Sequence, residues 1–126
     1  MDDLMKALLS AGLPGTPEKN FEVKRLTRHV GMPFVVQLKA LGYDMVAEIR
    51  ERTANKAEGE AECHILLEAM HYPDPRESAL KEMTGAATPI DAIKRLFLPG
   101  EIEAMARQVE ILSGFRGNNI KEIKKK

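Results

Sequence analysis

Residues 88–115 decide the fold, because they contain two helices and the corner between them: TPIDAIKRLFLPGEIEAMARQVEILSGF. Thr88 offers an N-cap hydroxyl and Pro89 stands at the first helical position, so a helix is predicted to begin there. Leu98-Pro99-Gly100-Glu101 predicts a sharp corner. The next helix ends at Ser113-Gly114, where Gly114 is predicted to be a left-handed cap with Phe115 folded back onto the helix. Apolar residues at helical spacing predict the buried faces: Ile90, Ile93 and Phe97, then Ile102, Met105, Ala106, Val109 and Leu112.

Upstream of this stretch, residues 60–71 are predicted to form the central core helix. Cys63, Leu66, Leu67 and Met70 occupy positions i, i+3, i+4 and i+7 of one helical face. Residues 72–75, Tyr-Pro-Asp-Pro, end the helix, because the residue before a proline avoids helical backbone angles. A shorter helix follows and stops at Gly85, while residues 43–53 return to helical spacing earlier in the chain.

Between residues 21 and 41 the apolar period changes from helical to two residues. Residues 34–41 alternate as a strand does, and residues 21–24 are a suitable partner strand. Residues 28–33 contain Gly31 and Pro33, which favour a turn. We therefore predict a β-hairpin over 21–41, which must pack on helices or pair with another subunit because an isolated hairpin is marginally stable.

The two ends of the chain are predicted to lie outside the main domain. Residues 1–12 form a short amphipathic helix whose apolar stripe is Leu4, Met5, Leu8 and Leu9. Residues 13–20 begin with a Pro- and Gly-rich segment and are predicted to act as a linker. The stripe either packs on its own domain or binds a client or a neighbouring subunit. Residues 116–126 are predicted to be a flexible basic tail ending in three lysines, which either stay solvated or touch nucleic acid.

The predicted fold class is mainly α (α+β), a compact helical domain of about five to six helices with an N-terminal two-stranded β-hairpin. With 126 residues the chain supports one domain, over 21–115 with its helices in 43–114. Nineteen basic and nineteen acidic residues cancel, which argues against nucleic-acid binding and makes self-association easier. The first residues lack the positive charge of a signal peptide and no apolar run approaches a membrane span of about 20 residues, so we expect a soluble protein with no membrane contact.

The reactive side chains of the sequence do not occur in patterns that predict a catalytic, cofactor-binding or metal-binding residue. Cys63 and His64 are adjacent, so on a helix their side chains diverge by about 100°. His64 and His71, placed on one helix, would lie roughly 10 Å apart, too far to share an ion. His29 has no partner in a turn, and no glycine-rich phosphate loop occurs. We therefore expect no enzyme and no cofactor; a third alternative is an enzyme whose site is assembled from residues scattered in the sequence.

Four elements in order give the chain a resemblance to a known family. They are Ala69 to Pro75 followed by Leu80, then Thr88-Pro89-Ile90-Asp91, then the corner Leu98 to Ile102, and finally Ile111 to Phe115. This order resembles the XkdN-like family of phage tail assembly chaperones, and residues 21–49 are similar to the strand, strand and helix unit of that family. The segment between hairpin and core helix is shorter here. Each motif alone is a turn or a cap that unrelated helical proteins also use, so the resemblance rests on the order and spacing of the motifs along the chain.

The resemblance implies a protein that works before the tail is complete. It would bind the phage tape measure protein, keep it soluble, help recruit the tail tube protein, and then leave, so that it acts in the bacterial host cytoplasm and is not expected in the mature virion. Self-association and a longer form made by ribosomal frameshifting are also implied, and the Lys124-Lys125-Lys126 codons are candidates for the slippery run.

The alternative is a small helical DNA-binding or regulatory protein that uses residues 90–112 as a helix-turn-helix. The recognition helix would then be residues 101–112. This segment has one basic residue, Arg107, and three acidic residues, Glu101, Glu103 and Glu110. That face is poorly suited to phosphate.

Overall fold

The structure, a computed structural model, describes residues 2–124. Lys125 and Lys126, two of the three terminal lysines, therefore lie outside the described residues. Over residues 2–124 the chain forms seven helices and three strands, in this order: α1 (Asp3–Ala11), β1 (Glu18–Glu22), α2 (Lys24–Val30), β2 (Val35–Lys39), α3 (Tyr43–Thr53), α4 (Glu60–Ala69), β3 (Met70–Tyr72), α5 (Ser78–Thr84), α6 (Pro89–Leu96) and α7 (Pro99–Leu112). The α+β class is confirmed, with more helices than the five to six predicted.

The first correction concerns the hairpin, whose two strands are joined by a helix and not by a turn. The strands pair antiparallel as predicted, with Phe21 opposite Val36, but α2 lies between them. This helix buries Leu26 and ends at Gly31, whose φ of 81° is left-handed. One buried leucine and a local cap are sufficient to form helix α2, because tertiary contacts hold it in place. Such contacts override a weak helical pattern in the sequence.

The second correction concerns the end of the core helix. Helix α4 stops at Ala69, and Met70–Tyr72 form a third strand that pairs antiparallel with β2, giving the sheet order β1-β2-β3. Met70 is buried opposite Leu38, so burial alone did not distinguish helix from strand at this position. His71 therefore lies in a strand and not, as predicted, on the same helix as His64.

The core forms where helices α4 and α7 cover one face of β2. The largest fully buried side chains are Val36 and Leu38 from the strand, Leu66 from α4 and Val109 from α7. Phe97, at the end of α6, meets Phe34 edge to face with ring centroids 6.5 Å apart. Burying a side chain of this size contributes about 1.5–3 kcal/mol, so these few contacts hold the sheet and the helices together.

A charged contact joins α2 to the corner between α6 and α7. Arg25 Nε and Nη2 donate to the two carboxylate oxygens of Glu101 at 3.0 and 2.9 Å, and Nη2 also donates to the Leu96 carbonyl at 2.9 Å. Glu101 accepts a further hydrogen bond from the Leu98 backbone N–H at 2.8 Å, which caps α7. The hydrogen bonds from Arg25 hold the pKa of Glu101 below its usual range despite partial desolvation.

We expect Glu101→Gln to destabilise the fold by about 1–2 kcal/mol. The substitution removes the carboxylate charge that accepts hydrogen bonds from Arg25 of α2 and from the Leu98 N–H at the start of α7. The native pKa of Glu101 is lowered, so its contribution is complete above the unfolded-chain value of about 4.3 and is lost as pH falls through the native value. Urea unfolding at a series of pH values measures this: the difference between wild type and variant should be constant above pH 5 or so and shrink below about 4.3.

Glu103→Gln provides the control, because Glu103 pairs with Arg107 on the same helix while its side chain is 67% exposed. Its effect should stay under about 0.5 kcal/mol. Equal effects of the two substitutions, or a difference that grows in acid, would contradict the role given to Glu101.

Candidate partner-binding site

The four predicted contact residues lie on helix α1, and the structure brings them together without burying them. Asp2 caps the helix, its Oδ1 accepting from the Met5 N–H at 2.8 Å, and the helix ends at Gly12. Leu4, Met5, Leu8 and Leu9 are 76%, 42%, 53% and 63% exposed, and no residue of α1 is buried. The stripe is therefore accessible in the structure.

The linker after α1 is shorter than predicted. Strand β1 begins at Glu18, so the last residues of the predicted 13–20 linker belong to the sheet. The linker runs from Gly12 to Pro17, and the Pro17 carbonyl accepts a hydrogen bond from the Ala40 N–H at 2.8 Å. This contact anchors the linker beside the end of β2.

A second accessible apolar surface is a groove of about 500 Å³ between α3, α4 and the end of α7. Its floor and walls include Leu41, Val46, Ile49, Ile65 and Phe115. Gly114 has a φ of 93° and the Phe115 N–H donates to the Glu110 carbonyl at 2.9 Å, so Phe115 folds back as the sequence predicted. The groove has no signal in the sequence, because its walls come from three separate helices, α3, α4 and α7.

Charged side chains of both signs stand along the groove. The Arg50 guanidinium lies 5.7 Å from the centre of the Phe115 ring, a cation–π contact. Arg116 donates to Glu110 at 2.9 Å, whereas Arg50 and Glu62 form no ion pair within residues 2–124. The groove therefore offers an apolar floor with one cation and one anion available for a partner.

Burial shifts the pKa values of Cys63 and His64, the two neighbouring titratable groups of α4. Cys63 is buried, and burial raises the pKa of its thiol. Desolvation lowers the pKa of His64, whose Nε2 is 3.8 Å from Glu60, the carboxylate that also pairs with Lys94. Across residues 2–124, no three His, Cys, Asp or Glu side chains are grouped so that they could hold a metal ion.

Helix α7, the candidate recognition helix of the DNA-binding alternative, is a core helix. It buries Ile102, Met105, Ala106 and Val109. Its outer face carries Glu103 bonded to Arg107 at 3.0 Å, and Glu110 bonded to Arg116. Arg107, the one basic residue of the predicted recognition helix, is therefore paired with a carboxylate. Separately, none of the helices within residues 2–124 combines the length and apolar character needed to cross a membrane.

A three-stranded antiparallel sheet covered by helices, with an exposed apolar N-terminal helix, defines a small α+β domain. Its fold is similar to that in the crystal structure of the protein yqbn, with a TM-score of 0.71 over 91% of this chain and 98% of that chain at 19% sequence identity. The chain belongs to the phage XkdN-like tail assembly chaperone family, whose profile matches residues 4–125. The family resemblance seen in the sequence is thereby confirmed. No curated protein sequence gives a significant match.

We expect the double substitution Leu4→Ser and Leu8→Ser to change the free energy of unfolding by less than about 0.5 kcal/mol in dilute protein, because neither side chain is buried. Leu66→Ala, in the fully buried core, should cost about 2–5 kcal/mol under the same conditions. Guanidinium unfolding measures both. A loss above 1 kcal/mol or so in the α1 variant would mean that the stripe packs on its own domain.

Proposed function

We propose that this member of a tail assembly chaperone family binds the phage tape measure protein, keeps it soluble and helps recruit tail tube subunits. It would act in the host cytoplasm and leave before the virion is complete. Family membership supports the general role. The observation that carries the binding proposal is the exposed stripe Leu4, Met5, Leu8 and Leu9 on a helix that buries none of its residues.

The stripe suits a client that is itself an amphipathic helix. Two such helices bury their apolar faces against each other, and anchors spaced at i, i+3 or i+4 set the fit. The four α1 side chains have this spacing, and the Gly12–Pro17 linker allows the helix to approach a client independently of the core. Stretches of the tape measure protein with exposed apolar faces would thus be covered until the tube grows around them.

The size of the stripe also suits release. Full burial of four large apolar side chains is worth about 1.5–3 kcal/mol each at most, and association itself costs roughly 4–15 kcal/mol. A single α1 helix therefore binds weakly, whereas several copies bound along one client would together cover and hold it. A weak, repeated contact can be displaced by tube subunits. We include self-association of the chaperone in this proposal.

Co-expression with the tape measure protein of the same phage tests the proposal. Wild-type chaperone should raise the soluble fraction of the client severalfold and co-purify with it, whereas Leu4→Ser with Leu8→Ser should lose most of both effects. The matched control is Val30→Ser with Met32→Ser, which removes two exposed apolar side chains, one from the last residue of α2 and one from the loop that follows it. This control should behave as wild type.

Two outcomes would count against the proposal in different ways. A client that stays insoluble with the wild-type chaperone would remove the proposed function itself. A soluble client with both variants would keep the function and remove the assignment of the contact to α1.

A further inference from the structure

The groove between α3, α4 and α7 lies next to the point where the α1 linker is anchored. The Pro17 carbonyl is bonded to Ala40, and the next residue, Leu41, lines the groove. The Leu41 N–H donates to Ser113 Oγ at 2.9 Å, so the anchor and the end of α7 are joined at this place. An exposed apolar helix is therefore tethered beside an apolar groove that it does not enter.

We propose that this groove receives helix α1 of a second copy of the chain, so that two chains exchange their N-terminal helices. The proposal names a surface for self-association and does not depend on client binding. A pair related by twofold symmetry would bury two stripes in two grooves with the same contacts, a closed arrangement that needs no further copies.

The linker favours exchange between copies over return to the same groove. Six residues, Gly12 to Pro17, reach at most about 20 Å when extended. Leu13 and Thr16 each precede a proline, which pushes both toward extended backbone angles. In the structure no residue of α1 lines the groove of its own chain. Short hinge loops that hold an arm away from its own domain invite domain swapping.

The two surfaces also match in charge. Asp2 and Asp3 give α1 an acidic N-terminal end, and Lys6 lies about 60° from Leu9 around the helix, at the edge of the stripe. Across the groove, Arg50 and Glu62 have no ion-pair partner within residues 2–124. An α1 helix in the groove can place its acidic end toward Arg50 and Lys6 toward Glu62. The zero net charge of the chain puts no general repulsion between copies.

Cysteine crosslinking between separately produced chains tests the exchange. One chain carries Leu8→Cys and the other, with an affinity tag, carries Val46→Cys in the groove; the native Cys63 is buried and does not compete. After mixing and mild oxidation, we expect a disulfide-linked heterodimer in at least tenfold higher yield than when Lys81→Cys, on the exposed surface of α5, replaces Val46→Cys. Thr53→Cys serves as a second groove position if Val46→Cys perturbs folding.

Light scattering of the chain alone supplies the independent measurement. Wild type should show the mass of two chains, and Leu4→Ser with Leu8→Ser should weaken association at least tenfold. Equal heterodimer yields with Lys81→Cys, or a dimer that survives loss of the stripe, would overturn the proposal. So would a single chain carrying both Leu8→Cys and Val46→Cys that closes only on itself, because the occupant would then be its own α1. This proposal deepens the self-association included in the proposed function, but client solubility plays no part in its tests, so failure here is separate from failure of client binding.

Discussion

Packing of α4 and α7 against one face of β2 is the interaction on which the other contacts depend. Val36 and Leu38 of the strand are fully buried beneath Leu66 and Val109, so the central strand is fixed in register by its covered face. That register positions β1 and β3 on either side, and through them α2 and the loop of residues 73–77. Arg25 then ties α2 to the α6–α7 corner through Glu101. The same arrangement leaves α3, α4 and the end of α7 as walls of the open groove.

Local signals in the sequence predicted part of this structure. Thr88 caps α6, its hydroxyl accepting from the Asp91 N–H, and Gly114 adopts left-handed angles, because each needs only its own neighbours. Helix α2 and strand β3 were missed because they are seven and three residues long and are held by distant partners. The α1 stripe was visible as a periodicity, but its exposure was not, since exposure depends on what the rest of the chain leaves uncovered. The groove depends on residues from 41 to 116 and has no local signal.

The fold separates a stable core from an accessible arm. Chaperone action of the kind proposed requires both, because the core must hold its shape while the contact forms and is released. The exposed positions of Leu4, Met5, Leu8 and Leu9 reduce the apolar area that this small domain buries. A binding role would explain why these side chains are not part of the core. A stable core with an accessible arm is consistent with membership of the tail assembly chaperone family. Exchange of arms between copies would keep the stripes covered until a client competes for them.

Amide hydrogen exchange, measured by mass spectrometry on the dilute chaperone and on its complex with the tape measure protein, tests most directly the claim that α1 is the contact element. The amides of β2, α4 and α7 should be strongly protected in both states, and those of α1 should exchange rapidly in the dilute chaperone and become protected in the complex. Unchanged rapid exchange of α1 in a complex that protects another surface would contradict the account, as would strong protection of α1 in the dilute, monomeric chain.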